Sequence, residues 1–158
     1  MKKITGLELV TDTADILTEN DRVQQYVSKH RLDYYQFGII VQDENDRLQL
    51  ESLLSEYNVF ESEFTLYKLE KPETKRTFID FGFLSNEKNY YLYAELVIPF
   101  TISGHNEKNV HTALEQMDEH LIAIDETLER TQFYVERYHQ QLIEGIADAY
   151  RVIVTFYP

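Results

Sequence analysis

Apolar residues recur at alternating spacings of three and four along the C-terminal third of the chain: Val110, Leu114, Met117, Leu121, Ile124, Leu128, Thr131, Val135, Tyr138, Leu142, Gly145 and Ala149. That period belongs to one face of a helix and not to a strand. It predicts one long amphipathic helix, or two helices folded back on each other, over residues 106–148. Asn106 is the expected N-cap, and Glu129-Arg130-Thr131-Gln132 is the place for a break. No proline or glycine falls between Asn106 and Glu144. Unbroken, about 40 residues would extend roughly 60 Å, so a bend or oligomerisation is expected. Ile122, Ile143 and Ile146 widen the stripe beyond a coiled-coil seam, and the flanking acids lack basic answers. Packing over a sheet or in a bundle is therefore favoured, with a homodimer through the helical region as the alternative use.

Upstream the pattern alternates between the two periods. Ile4–Val10 reads as a strand, and Thr18-Glu19-Asn20-Asp21 caps a helix through about Lys29 with Val23, Tyr26 and Val27 inward. Phe37–Val41 is a compact buried-strand candidate. Asp43 caps a second helix with Leu50, Leu53, Leu54 and Tyr57 inward, and Asp46 stands where an acid answers the exposed amides of the first turn. Val59–Leu69, Thr77–Leu84 and Tyr90–Ile98 then alternate with period two, which predicts a three-stranded antiparallel meander ended by Pro99. Arg151–Tyr157 adds a last strand, pairing with this sheet or with Phe37–Val41. The expected fold is one α+β domain over residues 1–158. It has a small antiparallel or mixed sheet packed by helices, the long C-terminal amphipathic helix or hairpin, and a final short strand.

Composition narrows the function classes. A chain of 158 residues, 43% hydrophobic, buries a core without metal or disulfide staples, and a second independent domain is not expected. With no cysteine, thiolate chemistry and disulfides are excluded and a reducing compartment fits. No continuous apolar segment reads as a signal peptide or a membrane span, so a soluble cytoplasmic protein with no membrane partner is expected. The formal charge of −13 is uneven. Residues 43–73 carry nine acids against three Lys or Arg, and residues 105–148 carry ten against three. Such surfaces repel nucleic-acid phosphates and suit a basic protein surface or simple solubility.

Candidate chemistry is thin. Glu107, His111 and Glu115 lie one helical turn apart, a spacing that sets acids beside an imidazole or begins a surface metal site. Glu136-Arg137-Tyr138-His139 contains a Glu-x-x-His spacing that resembles one element of a carboxylate-bridged di-iron bundle. Such a centre draws matching contributions from four facing helices, and the chain has one such element. The His-Glu-x-x-His zinc arrangement, the Gly-rich phosphate loop and the nucleophile elbow are absent, and no cofactor is implied. Tyr34, Tyr35, Tyr90, Tyr91 and Tyr93 offer rings for bases or protein partners, but Lys75, Arg76 and Lys88 make no dense basic patch beside them. Direct nucleic-acid binding is not expected.

The leading expectation is a non-enzymatic acidic protein-interaction or regulatory module. A sharper form makes carboxylates imitate phosphates in the basic groove of a nucleic-acid-processing protein, by analogy with small inhibitors from phages and other mobile elements. Its candidate contacts are Glu51, Glu56, Glu61, Glu63, Glu115, Asp118, Asp125 and Glu129. A small metal-dependent enzyme is the remaining alternative. Its reaction class is not indicated, and His111 is the residue to test first.

Overall fold

The structure is a computed structural model that describes residues 2–127 and 130–158. Its contacts gather into two compact units, one running to Lys68 and including Leu84–Tyr91, the other formed by Leu69–Phe83 and Leu92–Pro158.

The first unit contains β1 (Lys2–Leu9), α1 (Thr13–Glu19), α2 (Asp21–His30), β2 (Asp33–Tyr35), β3 (Gly38–Val41), α3 (Glu44–Glu56) and β4 (Phe60–Leu69). Strand order is β2-β3-β1-β4, with every neighbour antiparallel. This is the split βαβ arrangement, in which two helical crossovers leave both helices on one face of the sheet. The side-chain period of two turns Leu7 and Leu9 of β1 and Ile39 and Val41 of β3 to that face. There they meet Val23 and Val27 of α2 and Leu50, Leu53 and Leu54 of α3. Local chemistry sets the helix ends. Asn20 accepts Val23 N–H at the start of α2, and Arg31 closes it in the left-handed region at φ 53°. Asp43 accepts the amides of Asn45 and Asp46 at the start of α3.

After β4 come β5 (Pro72–Thr74), α4 (Phe78–Phe81), β6 (Gly82–Leu84) and β7 (Tyr90–Tyr93), the last two continuing the first sheet as β4-β7-β6. The second unit then repeats the topology of the first. It holds β8 (Val97–Ser103), α5 (Glu107–Met117), β9 (Leu121–Glu126), β10 (Thr131–Glu136), α6 (Gln140–Tyr150) and β11 (Ile153–Phe156). Order β11-β8-β10-β9 is again fourth-first-third-second, with β5 added beside β9. Ile98, Phe100, Phe133 and Val135 of its sheet pack against Ala113 and Met117 of α5 and Ile143 and Ala147 of α6.

The long C-terminal helix and the small single sheet are thereby overturned: among the described residues, two sheets of six and five strands and six α-helices take their place. Residues 106–148 form α5, a 3-10 turn at Asp118–His120, β9, β10, a second 3-10 turn at Arg137–His139, and most of α6. The stripe misleads for a physical reason. Leu121, Ile122, Ala123 and Asp125 of β9 and Gln132–Val135 of β10 are buried, so both faces of each strand are covered. Strands covered on both faces show near-continuous apolar runs without alternation, and such a run accepts a helical period by chance. In α6 the inward residues are Ile143 and Ala147, whereas Leu142, Gly145 and Ala149 of the stripe point outward. Leu128 of the stripe lies outside the described residues.

The meander also gives way. Thr77–Leu84 forms α4 and the three residues of β6, and Tyr90–Ile98 is interrupted at Ala94–Leu96, so β7 and β8 enter different sheets. Pro99 does not end a strand. It lies inside β8 opposite Tyr134, lacking only its donor, while its carbonyl accepts Tyr157 N–H at 2.9 Å. The final strand pairs with β8.

Candidate functional site

An open cleft of about 980 Å³ in the first unit is bounded by the C-terminal end of α2, the N-terminal end of α3, and Lys68 of β4. Leu17, Val27 and Ile40 give it apolar wall, and His30, Arg31 and Asp46 give it polar wall. One turn apart on α2, Tyr26 and His30 stack with ring centroids 4.2 Å apart and planes 8° from parallel. Asp46 receives both: His30 Nδ1 stands 2.6 Å from its Oδ1, and Tyr26 Oη donates to the same oxygen at 2.9 Å. Its carboxylate thus serves these two side chains and not the first-turn amides of α3. Burial, then the hydrogen bond to Asp46 and the charges of Asp46 and Asp43, push the Tyr26 phenol up to about 12. An oriented acid–imidazole pair is half of a general-base arrangement, but among the described residues no hydroxyl hydrogen-bonds His30.

Asp33 forms the polar floor of this unit. At 5% exposure it accepts five hydrogen bonds. Tyr34 N–H (2.8 Å) and Glu87 N–H (3.2 Å) reach Oδ1. Ser85 Oγ (2.5 Å), Asn89 Nδ2 (2.9 Å) and Tyr91 Oη (3.0 Å) reach Oδ2. The turn between β6 and β7 is tied to the β2 edge by these bonds and by Asn86 N–H to the Tyr34 carbonyl at 3.1 Å. Burial, followed by the Asp33 charge, raises the Tyr91 phenol well above its ordinary value.

The raised phenols predict an alkaline limit. In the unfolded chain both tyrosines lose their protons near the ordinary 10.0, while the folded chain retains them. The stability they contribute is fully present below pH 10 and is lost as pH rises through about 12 for Tyr26, and higher still for Tyr91. Urea midpoints measured upward from pH 10 should fall in the wild type and fall less steeply in Tyr91→Phe. Equal slopes would show that Tyr91 ionisation is not linked to folding.

The acids singled out from the sequence sort into three environments. On α3 and β4, Arg47 gathers three carboxylates. It meets Glu44 through two bonds of 2.6 and 2.8 Å, Glu51 at 2.9 Å, and Glu63 in a short contact. Glu44 and Glu63 hold the Arg47 guanidinium above its usual range, and Arg47 in turn lowers Glu44. Glu56 pairs with Arg22 at 3.0 Å, and Glu61 is exposed on β4. In the second unit Glu115 stands 3.3 Å from His111, and Asp118 shares Lys75 with Glu73, each at 2.8 Å. Asp125 is 2% exposed, and the amides of Glu70 and Lys71 occupy its carboxylate at 2.8–3.1 Å, so it pins the turn between β4 and β5. Glu129 lies outside the described residues. Glu44 and Arg47 are not among the residues expected from the sequence, although their spacing to Glu51, three and then four along a helix, is a readable signal.

Among the described residues no group of three or more His, Asp or Glu is placed to hold a metal ion. His111 and Glu115 meet on an exposed face of α5. Glu136 and His139 stand 3.9 Å apart across a 3-10 turn, with His139 edge-on to His120 at 5.3 Å. Among the described residues no helix is long and apolar enough to cross a membrane.

No family model, curated protein or solved structure matches this chain.

The second unit carries a feature that periodicity concealed. The Arg137 guanidinium donates to the carbonyls of Ala94 (2.8 Å), Val97 (3.1 Å) and Glu95 (3.3 Å), and its backbone N–H donates to Leu96 O at 2.9 Å. This fixes the 3-10 turn before α6 to the turn before β8. On the turn so held, Tyr138 is 90% exposed; Leu142, one helical turn on in α6, and Leu96, in the turn that Arg137 binds, are exposed as well. A groove of about 420 Å³ runs past Tyr138 to Gln141 and Glu144.

Proposed function

We propose that this protein is a non-enzymatic acidic protein-interaction or regulatory module, acting in the cytoplasm on a partner with a basic surface. The array on α3 and β4 carries the reading: Glu44, Glu51 and Glu63 converge on one cation, Arg47, and leave a fixed surplus of negative charge. Both units keep such a surplus, 14 acids against 8 Lys or Arg in the first and 14 against 7 in the second. A preorganised charge array costs less ordering on association than mobile side chains and steers an oppositely charged partner. The narrower form, an inhibitor that offers carboxylates where a nucleic-acid-processing protein expects phosphates, rests on the same array.

The test compares wild type with Glu51→Gln/Glu61→Gln/Glu63→Gln in capture from lysate at low and physiological salt, followed by titration against the basic protein recovered. Exposed ion pairs are worth about 0–1 kcal/mol each, so the triple variant should fold with a nearly unchanged melting temperature. Its affinity should fall roughly tenfold or more, with a shallower salt dependence. Affinity and salt slope equal to wild type would remove the acidic array from the interface.

A further inference from the structure

We propose that Tyr138, Leu142 and Leu96 form the anchor of a docking site on the second unit for a partner segment that carries an apolar side chain flanked by Lys or Arg. The proposal rests on the acidic-module reading and gives it a place and an anchor. Tyr138 is the most exposed large hydrophobic residue among those described. Its ring is presented by a turn that four hydrogen bonds from Arg137 hold in place. Aromatic side chains on rigid supports are the groups that dominate interface energetics, because little conformational freedom is lost when they are covered.

Charge complementarity selects the partner. Glu95 lies within the turn that holds Arg137, and Glu144, held by Gln140 Nε2 at 3.0 Å, lines the groove beside Tyr138. Glu136 precedes the 3-10 turn. Arg137 is the one cation among the described residues lining that groove, and its donors are directed to backbone carbonyls. The lining itself carries Glu144 against Arg137, and Glu95 and Glu136, which flank it in the chain, give the neighbourhood its negative balance. A second copy of a chain with net charge −13 would bring like charge to the same rim. An apolar anchor with Glu144 in its groove and Glu95 and Glu136 in the flanking turns fits a basic amphipathic segment.

The probe is a short fluorescein-labelled peptide of leucine and lysine in amphipathic helical order, with a lysine-only peptide of equal length as control, both titrated by anisotropy against the full chain. Wild type should bind the leucine–lysine peptide more tightly than the lysine-only one. Tyr138→Ala should weaken the former roughly tenfold or more and leave the latter unchanged. Leu142→Gln should act in the same direction. Ile79→Ala, at an exposed apolar residue of α4, should change neither. Melting curves confirm that each variant is folded, and Leu142→Gln decides the question if Tyr138→Ala fails to fold. Binding of the leucine–lysine peptide that is indifferent to both variants overturns the docking site and leaves the acidic-module reading standing. Binding of neither peptide overturns both. A self-association of the wild type that Tyr138→Ala abolishes also overturns the proposal, by giving the patch to a second copy.

Discussion

Replacing Asp33 by alanine is expected to destabilise the protein by about 3–5 kcal/mol, beyond the usual range for a single substitution. The carboxylate is buried and serves five donors from the β2 edge and the β6–β7 turn. Alanine leaves Ser85 Oγ, Asn89 Nδ2, Tyr91 Oη and two backbone amides without their acceptor, and each buried polar group so orphaned costs about 1–3 kcal/mol before relaxation. Asp33→Asn separates charge from hydrogen bonding. An amide keeps one acceptor oxygen, but whichever way it turns, its NH₂ faces donors: the amides of Tyr34 and Glu87, or the side chains of Ser85, Asn89 and Tyr91. A loss of about 2 kcal/mol is expected. Urea unfolding at neutral pH measures both, and a loss below about 1 kcal/mol for Asp33→Ala would mean that the knot does not hold the turn.

Gly6→Ala should cost about 2–3 kcal/mol through overpacking, for steric reasons alone. No glycine among those described has a positive φ, so no backbone conformation demands one. Gly6 pairs directly with Phe64 across β1 and β4, and the ring lies over it: a Cβ there would meet Phe64 Cζ at 2.2 Å and Cε2 at 2.3 Å. The same ring reaches Gly38, where a Cβ would stand 3.2 Å from Cζ, so Gly38→Ala should cost less. A double-mutant cycle decides the mechanism. Gly6→Ala combined with Phe64→Leu should lose less than the two single losses added together, with a coupling of about 1 kcal/mol or more. Strict additivity would place the cost somewhere other than that ring.

The candidate sites differ in how far the sequence makes them legible. Arg47 reaches Glu44 and Glu51 at spacings of three and four within one helix, so that part of the array is a sequence feature. Glu63, sixteen residues away, joins it only because β4 lies beside α3. Asp125 is, in the sequence, one acid among many of the C-terminal third, and only the turn at Glu70 and Lys71 folded onto it makes it a structural one. Tyr138 belongs to the apolar stripe of the sequence, yet it sits in the 3-10 turn before α6 and faces solvent, while α6 turns Ile143 and Ala147 inward.

Local rules settled what depends on a few neighbouring residues. Asn20, Asp43 and Asn106 cap the helices they precede, since a cap needs only a side-chain oxygen and an amide two or three residues on. The strands at the start of the chain, at Gly38–Val41, at Phe60–Leu69 and at its end were readable from their apolar and β-branched runs. The acidic balance and the absence of thiol chemistry needed no fold at all. Tertiary structure decided the rest. Whether Leu121–Glu126 and Thr131–Glu136 are helix or strand turned on both faces being covered, because burial from both sides erases the alternation by which a strand is recognised. The same long-range packing made two split βαβ units of one chain, buried Asp33 beneath donors up to 58 residues away, and set Tyr138 out in water.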